Sequence, residues 1–331
     1  MTEATLGQFQ HVNGLEDVPK TLRNGVVAIG NFDGVHRGHR AVLGAAQTIG
    51  HREKRPVYAM TFEPHPRTVF KPDAPVFRLT PEKQKAEVLA ACGLDGVLVV
   101  PFSREFAGVE AQEFVSDILM SKLAIFHAVT GHDFHFGRAR MGTPEFLKKS
   151  GLSFGFGVTQ VEPETDEGRQ VISSSRIREA LAEGDIALAN GLLGYRWFFD
   201  AEVRHGDKRG RDLGYPTANL QLPIGCPLKH GIYAVKIRVE DHLFDGVASF
   251  GRRPTFDNGA PLFEIHLFDF QGDLYGKKLR THVVSYLRGE EKFDSAETLV
   301  AQMDKDSLEA RAALSSLKPL GEIDTLLMPG A

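Results

Sequence analysis

The chain has 331 residues, a formal net charge of −4, 42% hydrophobic and 25% charged residues, and its length is about twice that of a typical domain, so two compact units are expected. This charge balance excludes a nucleic-acid or membrane surface built from bulk positive charge. No run approaches the roughly 20 apolar residues that span a bilayer, and the N-terminus lacks the basic and apolar segments of a signal peptide, so a cytoplasmic location is expected.

The chain from about residue 26 to residue 194 alternates short apolar runs with helical patterns. This alternation is typical of a parallel sheet covered by helices. Thr80 followed by Pro81 fits a helix N-cap and a proline at the first helical position. The predicted strands cover residues 25–29, 57–62, 96–100, 126–130 and 158–161, and the predicted helices cover 40–50, 81–92, 111–123, 143–149, 174–183 and 185–193.

After Tyr195 the pattern changes to alternating apolar and polar residues separated by Gly, Pro, Asp and Asn turns. Such a pattern predicts an antiparallel β-barrel, and the helical period over residues 295–317 predicts a terminal helix packed across it. The predicted strands cover residues 197–205, 232–240, 244–250, 262–270 and 278–287. We therefore predict a Rossmann-like α/β domain over residues 1–193 and a barrel domain over residues 194–331.

The segment AIGNFDGVHRGHR carries the first chemical motif. It begins as a strand, turns at Gly30 and Gly34, and enters a helix near Gly38, so free backbone N–H groups would point at an anion. His36 and His39 are three residues apart and would share one helix face. Two such donors would stabilise charge on a reacting phosphorus and on departing pyrophosphate. Two surface histidines beside a glycine turn are the alternative.

The segment VISSSRIREAL carries the second motif. Ser173, Ser174 and Ser175 precede a helix that bears Arg176 and Arg178. Serine hydroxyls at a helix N-terminus cap the backbone and can bind phosphate, and arginine offers a fork that matches phosphate oxygens. Alone, this segment fits a capped, solvated helix start. Together with the two histidines, it predicts a second wall of a triphosphate pocket.

HxGH followed by ISSSxIR resembles the nucleotidyltransferase superfamily, and NFDGVHRGH, TFEPHP and GHDFHFGRARMG together resemble its FMN adenylyltransferase branch. The resemblance implies a nucleotidyltransferase-type α/β fold. It also implies a reaction in which the FMN phosphate attacks the α-phosphate of ATP directly. It implies catalytic contacts to the phosphates from His36 and His39. The residues implied at the ATP are Gly30, Phe32, Asp33, Gly34, His36, Gly38, His39, Asp133, Ser174, Ser175 and Arg178, and those implied on the flavin side are Phe62, Pro64, His65 and Pro66.

The segment HGDKRGRDLGYPTANL is a glycine-rich basic loop that leads into Thr217 and Asn219. Glycines let the backbone approach phosphates, and the side-chain oxygens of Thr217 and Asn219 are hard ligands suited to Mg²⁺. No GxxxxGK[ST] motif occurs, so an ATP site here needs another architecture. Glu264 lies on a predicted strand and could deprotonate an alcohol if it faces a cleft. A basic hairpin turn and a solvent-facing glutamate are the alternatives.

GDxRGxxLGYPTAN, GRRPTF, the Glu264 strand with GDLYG, and YLRGEEKFDS occur here in the order seen in riboflavin kinases, which this half resembles. The resemblance implies that Thr217 and Asn219 hold Mg²⁺ and that Glu264 is the base for the ribityl 5′-hydroxyl. Tyr215 stands where phenylalanine is common. The residues implied at the ATP are Gly206, Lys208, Gly210, Gly214, Pro216, Thr217 and Asn219, and those implied near the flavin are Arg288, Glu291 and Phe293.

The two halves together resemble the prokaryotic bifunctional riboflavin kinase/FAD synthetase family from about residue 26 to residue 317. The resemblance implies ATP, riboflavin, FMN and FAD as substrates or products, with Mg²⁺ expected and Mn²⁺ left open. Neither a nucleic acid nor a membrane is expected as a partner, and a homo-oligomer is left open. The alternatives are a monofunctional riboflavin kinase whose N-terminal domain only binds nucleotide or flavin in a regulatory role, and a flavin-binding regulator without turnover.

Overall fold

The computed structural model describes residues 9–204, 215–223, 225–252 and 261–330. The chain divides into two compact units, Met1–Ser174 and Ser175–Ala331, called here the first and the second unit. This division falls earlier in the chain than the predicted boundary between residues 193 and 194, because two helices group with the barrel. The domain boundary at residue 193 stays a prediction.

The first unit is built on a six-stranded sheet in which every pairing is parallel. Parallel strands are covered on both faces, so they read as continuous apolar runs. The predicted parallel sheet is confirmed, and one short edge strand was missed. The strands are β1 Gln10–Asn13, β2 Val26–Ile29, β3 Val57–Glu63, β4 Gly96–Pro101, β5 His127–Gly131 and β6 Gly157–Val161, in the spatial order β1-β4-β3-β2-β5-β6.

Five helices belong to the first unit, counted over the residues described. One prediction about them is wrong, because Thr80 is not an N-cap: the residue before the helix is Pro81, which makes no side-chain cap. The Thr80 hydroxyl instead accepts from the buried N–H of Gly34 at 2.8 Å, a donor that needs a partner. The helices are α1 Arg37–Glu53, α2 Pro66–Phe70, α3 Glu82–Ala91, α4 (Ala111–Glu113, continued as π-helix by Phe114–Lys122) and α5 Pro144–Phe154.

The strand order places the first motif at a particular edge of the sheet. From β2 the chain builds outward through β3 and β4 on one side, and then through β5 and β6 on the other. In open α/β sheets, ligands bind in the crevice at the carboxyl ends of the strands where this order reverses. The loop after β2 begins at Gly30 and the loop after β5 contains Asp133, so both segments lie at that edge.

The second unit is a closed barrel in which every pairing is antiparallel. The predicted barrel and terminal helix are confirmed, and β8 was missed. The helices are α6 Ser174–Glu183, α7 Ile186–Leu193, α8 Ala296–Ser315 and α9 Glu322–Leu327, and the strands are β7 Phe198–Arg204, β8 Ala218–Gln221, β9 Gly231–Val239, β10 His242–Arg252, β11 Pro261–Leu267 and β12 Lys278–Arg288, closed in the order β10-β11-β8-β7-β12-β9.

Helix α8 covers one side of this barrel. Its N-cap is Ser295, whose hydroxyl accepts from the backbone of Thr298 at 3.3 Å. Ala310 and Leu314 are buried against Phe268 and neighbouring strand residues. Across the described part of the chain, no helix has both the length and the apolar character needed to cross a bilayer.

A buried ion pair joins the start of the barrel to α9. The Asp324 carboxylate accepts from the backbone N–H of Arg196 at 2.8 Å, from the Arg196 guanidinium, and from the N–H of Leu320 at 3.0 Å. The Arg196 guanidinium also donates to the carbonyl of Lys318 at 2.7 Å. The two side chains are only 5% and 1% exposed. Removing one partner of such a pair leaves an uncompensated buried charge.

We predict that Asp324→Ala lowers the free energy of unfolding of the second unit by about 3–5 kcal/mol. Trp197 is the single tryptophan and is buried in that unit, so its fluorescence in a urea titration follows the barrel. Glu240→Gln removes an exposed pair with Lys277 and is the control, expected to leave the urea midpoint unchanged. Equal midpoints for Asp324→Ala and the parent protein would contradict this assignment.

Candidate active sites

The loop after β2 has a strained backbone. Phe32, Gly34 and Val35 have positive φ angles of 48°, 85° and 37°. Glycine adopts this region freely, whereas an aromatic or β-branched residue does so at a cost of about 1–3 kcal/mol. Phe32 and Val35 are 1% and 0% exposed, so core packing holds them in place. Strain of this kind is typical of loops that bind ligands.

Asp33 fixes the shape of this loop from inside the protein. Its carboxylate is 2% exposed and accepts from the backbone N–H groups of Leu79 at 3.3 Å and Thr80 at 3.1 Å. Its carbonyl oxygen accepts from the hydroxyl of Ser174 at 2.9 Å. Ser174 from the second motif therefore contacts the first motif, and a triphosphate pocket lined by both motifs stays a prediction. ATP contacts from Asp33 and Ser174 stay predictions.

The two histidines lie at the start of α1. His36 is the N-cap, and its Nδ1 accepts from the backbone N–H of His39 at 3.2 Å. A Cβ at Gly38 would come within 3.2 Å of that nitrogen, so glycine gives the ring room to cap the helix. The rings of His36 and His39 stack with centroids 3.6 Å apart. The predicted shared face is confirmed, and it lies at the positive end of α1.

The capping bond determines where His36 carries its proton. Because Nδ1 of His36 accepts a hydrogen bond, the neutral ring holds its proton on Nε2. The Nδ1 of His39 is buried and has no hydrogen-bond partner among the residues described. Burial, together with the charge of Lys85, lowers the pKa of His39 to about 3. His39 is therefore neutral near pH 7, and it would meet a phosphate as an N–H donor rather than as a cation.

A cluster of four charges, Asp33, Glu63, Arg78 and Lys85, lies in the same unit and was not predicted. Asp33 and Lys85 are buried, and Glu63 and Arg78 are 15% and 17% exposed. The Lys85 ammonium is 1% exposed and lies 2.7 Å from Oε1 of Glu63; it also donates to the hydroxyl of Thr61 at 3.0 Å. The Arg78 guanidinium donates to both carboxylate oxygens of Glu63, and its Nε lies 3.5 Å from Asp33. Two cations and two carboxylates balance, as buried charges require.

The charge cluster connects the end of β3, the start of α3 and the loop after β2. Burial raises the pKa of Glu63, but its bonds to Arg78 and the charge of Lys85 outweigh this and lower it overall. The signal that sequence reasoning overlooked is the position of Lys85. It lies four residues before Leu89, on the buried face of α3, where a charged side chain needs a partner.

The TFEPHP segment forms the bend between β3 and α2. Its Glu63–Pro64 peptide bond is cis, and His65 is the N-cap of α2, which begins at Pro66. Phe62 is buried and packs against Phe102 and Phe106 at centroid distances of 6.0 and 6.1 Å. Aromatic side chains thus line the carboxyl end of β3, and contact of Phe62, Pro64, His65 and Pro66 with a flavin stays a prediction.

Three other residues predicted at the ATP are Asp133, Ser175 and Arg178. The Asp133 side chain is 83% exposed beside His132, after β5. Ser175 and Arg178 lie on α6, beyond the division between the two units. Their approach to a triphosphate stays a prediction.

The barrel brings Asn219 and Glu264 together from segments that are far apart in sequence. Strands β8 and β11 are antiparallel, and their register places Asn219 directly opposite Glu264. Such opposite residues have Cβ atoms about 4.5–5.5 Å apart and share one face of the sheet. Their neighbours Leu220 and Phe263 are completely buried in the barrel interior, so Asn219 and Glu264 lie on its outer face.

The oxygen atoms near this pair fit a divalent cation. Asn219 is 5% exposed, and its Oδ1 is buried without a hydrogen-bond partner among the described residues. A buried amide oxygen without a donor is costly, and Mg²⁺ prefers such hard oxygens. Thr217 lies two residues earlier and is half-buried. The described residues contain no group of three His, Cys, Asp or Glu side chains that could hold a metal, so substrate phosphates and water would supply further ligands.

The predicted flavin residues of the second unit also meet. The Arg288 guanidinium donates to both oxygens of Asp306 at 2.7 Å, lies 4.0 Å from Glu291 and stands 5.9 Å from the ring of Phe293. Asp306, on α8, was not predicted. Pro216 is exposed just before β8, whereas four predicted ATP residues lie outside the described residues: Gly206, Lys208, Gly210 and Gly214.

Each half of the chain matches a known protein family. The family model described as FAD synthetase matches residues 18–176, and the one described as riboflavin kinase matches residues 193–314. The bifunctional riboflavin kinase/FMN adenylyltransferase of Escherichia coli strain K12 is 39% identical over 93% of this chain and 99% of its own. That of Bacillus subtilis strain 168 is 38% identical over 88% of this chain and 93% of its own.

A solved structure also matches nearly the whole chain. The crystal structure of a protein described as a macrolide-efflux protein from Streptococcus pneumoniae has a TM-score of 0.82 and 30% identity, covering 92% of this chain and 99% of that one. The likeness supports the fold described above.

The fold and its motifs define a two-unit transferase, with a nucleotidyltransferase-type α/β unit followed by a barrel of the riboflavin kinase type. The chain belongs to the bifunctional riboflavin kinase/FMN adenylyltransferase family.

We predict that His39 stays uncharged as the pH falls from about 8 to about 5. Its folded pKa of about 3 lies below the ordinary value of 6.5, so the unfolded chain takes up the proton first. The first unit should therefore lose stability as the pH falls below about 6.5. Nitrogen-15 correlation spectra of histidine-labelled protein would show the neutral pattern, with His39→Asn identifying the signal. A midpoint near pH 6.5 for that signal would contradict the assignment.

Proposed function

We propose that the second unit phosphorylates riboflavin with ATP to give FMN, and that the first unit transfers the adenylyl group of another ATP to FMN, giving FAD and pyrophosphate. The observation that carries the proposal is that each family match falls on one of the two motif sets. A flavin-binding regulator without turnover would be expected to have lost catalytic residues. This chain retains His39, Asn219 and Glu264.

In the proposed adenylyl transfer, an FMN phosphate oxygen bonds to the α-phosphorus of ATP while the α–β bridging bond breaks. No protein nucleophile is needed, so the protein contributes position and charge stabilisation. The N-terminus of α1 offers backbone donors, and the stacked rings of His36 and His39 lie there. The N–H groups of these rings would donate to phosphate oxygens that gain charge during the reaction. The bound triphosphate would be held by the predicted Ser174, Ser175 and Arg178.

In the proposed kinase reaction, the riboflavin 5′-hydroxyl bonds to the γ-phosphorus of ATP, and ADP leaves. Glu264 takes the hydroxyl proton, and its position opposite Asn219 supports this role. We propose that Thr217 and Asn219 hold Mg²⁺, which when bound neutralises phosphate charge. Arg288, with Glu291 and Phe293 beside it, would hold the flavin. A cytoplasmic location, the lack of a nucleic-acid partner and the oligomeric state stay predictions.

A chromatographic time course tests both activities. We expect purified protein with riboflavin, ATP and Mg²⁺ to form FMN first and FAD later, and with FMN in place of riboflavin to form FAD at once. FMN as the sole product would favour a monofunctional kinase with a regulatory first unit. The absence of product in both reactions would refute the proposed enzymatic function.

Two variants separate the sites in the same assay. His39→Ala removes a donor at the transferring phosphate and should slow FAD formation about 10²–10³-fold, while FMN formation continues. Glu264→Gln removes the base and should slow FMN formation about 10²–10⁴-fold, while supplied FMN is still converted to FAD. Loss of both activities in either variant would contradict this division of roles.

A further inference from the structure

Tyr215 connects the segment before β8 to helix α8. Its hydroxyl donates to the carboxylate of Asp304, on α8. Its ring lies 4.9 Å from the ring of His266, measured between centroids. The Nδ1 of His266 is 3.0 Å from the carbonyl oxygen of Pro216. Two consecutive residues, Tyr215 and Pro216, are therefore each in contact with another element of the second unit.

These contacts immediately precede the predicted metal and nucleotide ligands. Thr217 follows Pro216 directly, and Asn219 follows two residues later, at the start of β8. Contacts that fix Tyr215 and Pro216 also restrict the backbone position of Thr217, which follows them directly. A phenylalanine at position 215 would retain the ring contact but not the bond to Asp304. The hydroxyl is thus the group that joins this segment to helix α8.

Helix α8 is connected to the flavin side as well. Asp306, two residues after Asp304, binds the Arg288 guanidinium through both carboxylate oxygens and accepts from Gln302 at 2.9 Å. The same helix therefore contacts the segment that leads to Thr217 and the arginine predicted to lie near the flavin. A helix is stiff over two residues, so these two attachments keep a fixed spacing.

We propose that Tyr215 and Asp304 are positioning residues of the kinase site. Their hydrogen bond anchors the segment before β8 to helix α8 and thereby holds Thr217 and Asn219 in the position that binds ATP. The inference rests on the proposed kinase function. Partial burial and the bond to Asp304 raise the pKa of Tyr215, so the hydroxyl keeps its proton and remains a donor near pH 7. A hydrogen bond to a charged acceptor is stronger than one between neutral groups.

The test measures FMN formation at varied ATP concentration. Tyr215→Phe should raise KM for ATP about three- to tenfold, the effect of losing one ordinary hydrogen bond, because the bond to Asp304 is exposed, and it should leave kcat within about twofold. Asp304→Ala should match it. Asp304→Asn keeps an oxygen acceptor and should restore part of the affinity. The double variant should be no worse than either single variant, because both remove one interaction. Conversion of FMN to FAD should not change.

The control is Asp269→Asn. Asp269 accepts from the Arg311 guanidinium of α8 at 2.9 and 3.2 Å. This ion pair also connects α8 to the rest of the second unit, but neither Asp269 nor Arg311 has a predicted role in either site. It should leave KM for ATP unchanged. The Trp197 fluorescence midpoint in urea checks that each variant is folded.

Three results would overturn the inference while the parent protein forms FMN: an unchanged KM in Tyr215→Phe, an equal rise in Asp269→Asn, or additive effects in the double variant. The second would mean that any loosening of α8 weakens ATP binding. A parent protein that forms no FMN would instead refute the proposed kinase function, and this inference with it.

Discussion

The first candidate site depends on the largely buried ion pairs of the charge cluster. A loop with positive φ at Phe32 and Val35 does not keep that shape unless its surroundings determine it. Asp33 provides the connection, because its carboxylate binds the backbone before α3 and faces Arg78, which in turn binds Glu63. Each buried charge is stable only beside its partner. Three segments are thereby held in one arrangement, with the histidines of α1 directly after the loop.

The fold was predictable where burial leaves a clear pattern in the sequence. Strand β2 is buried at all four positions, so its continuous apolar run predicted a strand. Strand β1 was missed because its four residues alternate between half-buried and exposed at the sheet edge, which leaves little periodicity to detect. Strand β8 was missed because it is only four residues long and three of the four are buried, which leaves no alternation of apolar and polar positions to detect.

The candidate sites were predictable only in part. Helical spacing sufficed to place His36 beside His39, because that relation is local. The capping role of His36, the inward orientation of Asp33 and the pairing of Lys85 with Glu63 depend on contacts between distant segments, which no single motif encodes. The same holds for Asn219 and Glu264, whose meeting follows from the register of β8 against β11.

The position of β12 in the barrel has a consequence for synthesis on the ribosome. This strand pairs with both β7 and β9, yet it is the last of the six to be translated. Domains generally fold in order from the N-terminus, so the first unit can be finished while the barrel still has two open edges. Unpaired edges invite association with other chains. The nascent protein therefore passes through an interval, ended by the emergence of Lys278–Arg288, in which its second half is open to misassembly.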